Sequence, residues 1–265
     1  KNGVNESSVK SENQFIFSKH QQLKFGLGII TNEATFAQDT SKQLLKDLNN
    51  TSHRANAYIQ DKIQLNGRCN VEVGLRADYI LITGSQFLVQ PRLKFNYWLN
   101  TDLKLHFSAG KYHQFISENS LIDEYGNNLF FWEVMDEKDA LSSYHYVIGG
   151  IKEMKKMTFK TELFARNTNG IGRYIEGLDR DKSDEGFKQY IGLSKTYGLD
   201  LYVKRSILQH QLWLAYTLSR TIESFDYLGV DVWQRAAHDQ THEAKTAFIF
   251  NLNAYHLSFN YVFGS

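Results

Sequence analysis

Three groups of side chains in this sequence could do chemistry. His238 and His242, in HDQTH, stand four residues apart, which on a helix would put both imidazoles on one face, within reach of a single metal ion. On a strand they still share a side but lie too far apart for one small ion, and the glutamate of a zinc-hydrolase helix is missing. We read the pair as a boundary between a connection and a strand and assign no metal. Asp179, Asp181, Asp184 and Glu185 supply carboxylate oxygens of the kind calcium takes, although a solvated charge run is the plainer reading. Serine, histidine and aspartate all occur, yet no GxSxG elbow is present and nothing places a serine beside a histidine with an orienting acid. No residue is therefore assigned a catalytic role, no cofactor is implied, and the chain is not read as an enzyme. The third group is aromatic: Phe130, Phe131 and Trp132, with Tyr227 and Trp233, offer stacking and apolar contact to a ligand. Their competing role is to pack a long loop on itself or to line a membrane interface.

The elements that must position these residues are legible in the stretch Tyr197 to Phe225. Its first arm sets Tyr197, Leu199, Leu201 and Val203 against Asp200, Tyr202, Lys204 and Ser206, a period of two. After a tight connection at Ile207-Leu208, the second arm sets Leu212, Leu214, Tyr216, Leu218 and Ile222 against Gln211, Trp213, Thr217, Ser219, Thr221 and Glu223. This is an antiparallel hairpin with one oily face. Its arms exceed the ~5–6 residues usual in globular strands and match the ~9–11 needed to cross a bilayer on a tilt.

Composition agrees. Among 265 residues, 42% are hydrophobic and 14% aromatic, while mean hydropathy is −0.44. No window approaches the ~18 apolar residues of a membrane helix, which excludes a helical membrane protein but not a barrel, whose lumen-facing half dilutes hydropathy. Proline occurs once, at Pro91, and cysteine once, at Cys69, so the chain is neither linker-rich nor stapled by disulfides. A net charge of +1 without basic clusters leaves no nucleic-acid footprint.

Read in order, residues 1 to 11 are polar and are expected either to fray or to form the tail of an earlier strand. Hairpins follow at Glu12–Phe17 with Gln22–Thr31, at Ala57–Leu65 with Cys69–Ile82 around Asn66-Gly67, and at Pro91–Leu99 with Leu103–Phe115. Three more pair Ser142–Glu153 with Met157–Ile171, the two arms at Tyr197 to Phe225, and two arms around Asn253-Ala254. Long connections are expected at about 32–56, with a short helix at SKQLLKDL, and at 116–141, 172–196 and 226–242. Twelve strands with connections alternating between short and long predict an all-β, antiparallel transmembrane barrel, with short periplasmic turns and long extracellular loops. Asp61 breaks the pattern by sharing a face with Ile59 and Ile63. The inward set, including Glu72, Arg76, Lys94, Lys104 and Glu162, can hydrate a passage, with opposite charges laddered beside one another.

The succession KHQQLKFGLGI (19–29), AYIQDKIQLNGRCNVEVGLRADY (57–79), PRLKFNYWLNTDLKLHFSAGKYHQF (91–115), SSYHYVIGGIKEMKKMTFKTELFAR (142–166), YGLDLYVKR (197–205), LAYTLSRTIESF (214–225) and HDQTHEAKTAFIFNLNAYHLSFNYVFGS (238–265) resembles the barrel of TonB-dependent outer-membrane receptors in the Bacteroidota style. The resemblance covers most of the chain, in order. It implies a 22-stranded barrel of which this chain supplies about twelve strands as one segment, 1–265, without the plug domain and without the aromatic-terminated last strand. It further implies a Gram-negative outer membrane and active uptake of an iron chelate, haem, cobalamin or an oligosaccharide. The implied partners are the lipid bilayer, the rest of the receptor including the plug, the TonB complex acting through it, and in some systems a surface lipoprotein. A smaller passive porin-like barrel is the main alternative, an outer-membrane hydrolase a lesser one. A closed twelve-stranded porin requires the strand near Glu12 to pair with the strand ending at Phe263.

Overall fold

The computed structural model describes residues 2–40, 43–81, 87–122, 128–134, 140–176, 187–229 and 231–265. Apart from one short parallel pairing, Leu121 and Ile122 beside Tyr174 and Ile175, they form one antiparallel meander. It begins with β1 (Asn2–Ser18), β2 (Gln21–Thr40), β3 (Gln43–Asn66), β4 (Cys69–Ile80), β5 (Phe87–Trp98) and β6 (Leu103–Gln114). A small hairpin, β7 (Ile116–Ile122) and β8 (Asn128–Val134), leads to β9 (Leu141–Met154), β10 (Met157–Glu176), β11 (Phe187–Ile207) and β12 (His210–Phe225). A 3-10 turn (Asp226–Leu228) and the two-residue β13 (Gln234–Arg235) precede β14 (His242–Leu252) and β15 (Tyr255–Gly264). Twelve of these strands run side by side in the order β1-β2-β3-β4-β5-β6-β9-β10-β11-β12-β14-β15, the number the alternation predicts.

Period-two alternation becomes two faces once register is fixed. On one face Ile63, Val71, Phe95, Phe107, Ile148, Leu163, Leu199 and Leu218 stand directly opposite one another, strand after strand, across β3 to β12. Ile148 and Leu163 are each 57% exposed, and Leu27, Val73, Leu75, Leu93, Tyr146 and Tyr197 extend the same apolar face. Apolar surface this continuous is far beyond what a monomer leaves in water; its natural solvent is lipid. One residue along each strand, the opposite face carries Gln64, Asn70, Asn96, His106, Gly149, Glu162, Asp200, Thr217 and Glu243 in an equally continuous row.

The polar face is concave. Phe131 of β8 packs against Phe36 of β2 (centroids 4.8 Å apart) and Tyr174 of β10 (5.2 Å), and these strands lie six steps apart in the sheet. Flat, six steps would separate them by about 29 Å. The sheet must curl for one phenyl ring to touch both.

Several expectations need correction. Residues 2–11 belong to β1, paired with β2 from Asn2↔Phe36 to Ser11↔Leu27. The connection expected at 32–56 is strand as well: β2 and β3 stay paired from Asn32↔Ser52 to Gln38↔Lys46. Gln43–Leu48 of SKQLLKDL are therefore extended, not helical, because cross-strand hydrogen bonds outweigh a local helical spacing. The other connections are also shorter than expected: 116–141 contains β7 and β8, 172–196 is entered by β10 and β11, and 226–242 holds the 3-10 turn and β13. The tight turn of the fifth hairpin falls at Leu208-Gln209, with Leu208 left-handed at φ 54°. Asp61 stands opposite Leu23 and Val73 on the apolar face, where its Oδ2 accepts a hydrogen bond from Gln21 Nε2 at 2.8 Å.

Candidate functional site

The concave face is organised by short-range pairing. Arg76 and Asp78 of β4 are two apart and so share a side, and the guanidinium forks onto the carboxylate with two bonds of 2.8 Å. Gln90 of β5 donates to the same Asp78 at 2.6 Å, and Arg54 of β3 lies 4.0 Å away. The Asp78 side chain has no exposed surface; a carboxylate so placed persists because donors replace its water. Arg54 also lies over the ring of Phe115 at 4.0 Å, a cation–π contact.

Lower on the same face, His106 reaches Glu162 at 2.7 Å although β9 runs between their strands. Gly149 stands between them; a Cβ there would meet Glu162 Cγ at 2.7 Å and His106 Cε1 at 2.9 Å. Lys160 Nζ completes the cluster 2.8 Å from Glu162. Asn96 donates to Asn70 at 2.8 Å and Thr217 to Asp200 at 2.6 Å. Of the inward charges that the sequence singles out, Arg76 and Glu162 thus have opposite-charge neighbours, whereas Glu72 accepts from Gln60 at 2.8 Å and Lys104 lies over the Trp98 ring.

Above them lies a cavity of about 630 Å³ whose walls include Arg54, Tyr112, His145, Arg166, Glu223 and His238. Glu223 is held by Arg173 at 2.8 Å, with His238 Nδ1 at 3.9 Å. Among the described residues Arg166 finds only the Thr196 hydroxyl, at 3.4 Å. Two guanidiniums, imidazoles and aromatic rings around one already paired carboxylate suit an anionic ligand with planar parts. Arg54 was hidden from sequence reading because it falls in a stretch read as connection. His145 and Arg166 follow from inward parity on β9 and β10, a signal present but undistinguished among a dozen polar alternates.

The aromatic candidates fall in three separate places. Phe130 is 58% exposed, Phe131 is fully buried, and Trp132 is half-buried beside them on β8; Asn2 of β1 anchors this segment through the Phe130 carbonyl at 3.0 Å. Tyr227 accepts a hydrogen bond from Arg173 Nη1 at 2.9 Å and packs on Tyr190 and Phe225. Trp233 carries Lys195 Nζ 4.1 Å above its ring, on the apolar side of β11. His238 leans on Glu223, while His242 hydrogen-bonds Tyr216 at 2.7 Å, so the two imidazoles serve opposite faces. Asp179, Asp181, Asp184 and Glu185 lie outside the described residues.

No protein-family model matches this chain, and neither does any curated protein. Solved structures do. The FrpB iron transporter of Neisseria meningitidis superposes with a TM-score of 0.68 at 11% identity, covering 98% of this chain and 42% of the transporter. The ferric yersiniabactin uptake receptor FyuA of Yersinia pestis gives 0.65 at 14% identity, with 98% and 42% covered. The copper transporter OprC gives 0.65 at 10% identity, with 98% and 44% covered. Each is a transporter or receptor and none an enzyme. At such identities the likeness speaks for fold, and the chain spans about two fifths of each relative's length. The chain therefore has the antiparallel β-barrel fold of outer-membrane metal transporters and siderophore receptors.

Proposed function

We propose that this chain is the barrel-forming segment of a TonB-dependent receptor, of the Bacteroidota type, that takes up a scarce nutrient across the outer membrane of a Gram-negative bacterium. The observation that carries the reading is the pairing of a lipid-suited row, Ile63 to Leu218, with a row one residue away on the same strands that is polar but for Gly149. That arrangement separates hydrocarbon from a hydrated interior. Among the described residues β1 pairs only with β2 and β15 only with β14, which leaves two sheet edges for further strands. A passive twelve-stranded porin would instead join β1 to β15, so the open edges favour the larger receptor.

The lumen would hold the plug, and energy would reach it through the TonB complex. The long upper connections would face the cell exterior, with a surface lipoprotein as a further partner. The cargo is an iron chelate, haem, cobalamin or an oligosaccharide, with Phe130, Trp132 and Tyr227 as candidate contacts and Phe131 as their buried support, while Trp233, under Lys195 on the apolar side of β11, stands apart from them. The anionic character of the cavity's complement favours a chelate or haem over a neutral sugar. The test is uptake of radiolabelled iron chelate, haem, cobalamin and oligosaccharide by cells carrying the whole receptor, before and after the proton gradient is collapsed. Uptake of one cargo that stops on collapse is expected; flux that continues unchanged would establish a porin instead.

A further inference from the structure

The apolar face carries one feature that neither barrel formation nor cargo uptake explains. Just above the belt, Lys195 and Tyr197 of β11 stand opposite Ile222 and Arg220 of β12, and Arg235 of β13 stands beside Ile222. All lie on the face of Leu199 and Leu218, one or two rungs further up. Arg220 and Arg235 reach for the same atom: Asp239 Oδ2 is 2.6 Å from Arg235 Nε and 4.0 Å from Arg220 Nη1. The Asp239 carboxylate is wholly shielded, whereas the two arginine side chains are 44% and 46% exposed. A hidden anion thus gathers two guanidiniums and leaves only their positive sides outward. Lys195, exposed and seated on Trp233, adds a third cation.

Three cations against one buried carboxylate leave a net charge of about +2 where hydrocarbon gives way to water, beside a tryptophan and a tyrosine. That is the composition by which proteins hold anionic headgroups at a bilayer interface. The corresponding rung on β6 and β9 carries a single lysine, Lys111, over Tyr144 at 5.6 Å, so the triple cluster is not repeated along that rung. We propose that Lys195, Arg220 and Arg235, flanked by Trp233 and Tyr197, form a seat for the phosphate groups of an anionic membrane lipid. The inference rests on the barrel reading, because it needs this face to meet a bilayer. It gives Trp233 a role at the lipid boundary.

The experiment uses the full-length receptor in phosphatidylcholine nanodiscs containing a minor fraction of lipid A, with bound lipid read by native mass spectrometry. Wild type should enrich lipid A over phosphatidylcholine, and Lys195→Gln/Arg220→Gln should lose that enrichment roughly 30-fold, as expected for two interfacial cations. The double variant spares the Arg235–Asp239 anchor, and its heat-modifiable mobility in gels verifies the fold. Equal enrichment in both proteins overturns the proposal. Displacement of lipid A by millimolar inorganic phosphate would show a free-anion site and overturn it too. A protein that enters the nanodiscs without lipid preference refutes this seat alone, whereas one that never enters them refutes the barrel reading itself.

Discussion

The two faces of the sheet differ in how they use identical backbone. Along the outer row, Ile63 to Leu218, no side chain depends on a particular partner: any apolar residue of similar size would serve, since lipid is a solvent and not a fitted surface. One residue away, Asn96 meets Asn70, His106 meets Glu162 and Thr217 meets Asp200 at 2.6–2.8 Å. There the identity of each neighbour matters. Stability on the outside is generic and set by hydrophobicity; on the inside it is specific and set by pairing. The difference predicts unequal responses to substitutions that lie side by side.

The greatest loss is expected where the inner face is most committed. Asp78→Ala leaves Arg76 without its forked partner, Gln90 without an acceptor and Arg54 without its nearest carboxylate, around a position that is itself wholly covered although the Arg76 side chain is 27% exposed. Breaking such a buried pair costs about 3–5 kcal/mol. Chemical unfolding of the intact receptor in detergent should show a loss of this size; a change under ~1 kcal/mol would mean water reaches the cluster and the inner face is less specific than its hydrogen bonds indicate.

Ile148 and Gly149 allow the comparison within a single peptide. Ile148→Arg puts a charge at the middle of the outer row, which in a bilayer costs ~2–4 kcal/mol and in water very little. Unfolding in lipid vesicles should register that penalty, and unfolding of a form that stayed soluble without detergent would not. Gly149→Ala tests the opposite face: its Cβ would collide with the Thr161 carbonyl oxygen as well as with Glu162 and His106, so backbone and side chains must both shift at an overpacking cost of ~1–3 kcal/mol or more, and the His106 ring resonances should shift as the contact with Glu162 opens. If Gly149→Ala leaves those resonances in place while Ile148→Arg is harmless in lipid, the assignment of faces is inverted.

What the sequence disclosed, and what it hid, follows the same division. Alternation such as Leu199/Asp200 fixes which residues share a face, and turn formers such as Asn66-Gly67 fix where strands reverse, so twelve strands and the oily face are local information. Pairing is not. Residues 32–56 read as a polar connection because neither Asn32 nor Ser52 shows, alone, that it will face the other across β2 and β3. Arg54 was lost with that stretch, and so was its place near Asp78 and Phe115. The gathering of Arg220 and Arg235 on Asp239 was equally unreadable, since the Arg220 contact crosses from a strand to the connection that follows it. The aromatic candidates were visible as residue types, but only coordinates separate buried Phe131 from exposed Phe130.

The smallest expected effect concerns Asp239, in the connection outside the span. Burial works against its charged form, but the Thr221 N–H and the Arg235 and Arg220 guanidiniums more than compensate, and its pKa lies below the ordinary carboxylate value. A carboxylate depressed in this way stabilises the fold at every pH above its unfolded value, near 3.9; the contribution fades as pH falls from there through the lower folded value. Neutral and mildly acidic media should therefore leave the connection closed, and only stronger acid should release Arg235 and disturb Trp233, which precedes it by two residues. Tryptophan fluorescence of the receptor, compared with that of Trp233→Phe to isolate this ring, should change below pH 4 and not between 5 and 8. Asp239→Asn should abolish the acid step. An Asn variant that kept the step would assign it to another group, and the convergence of two arginines on this oxygen would then have no measurable energetic weight.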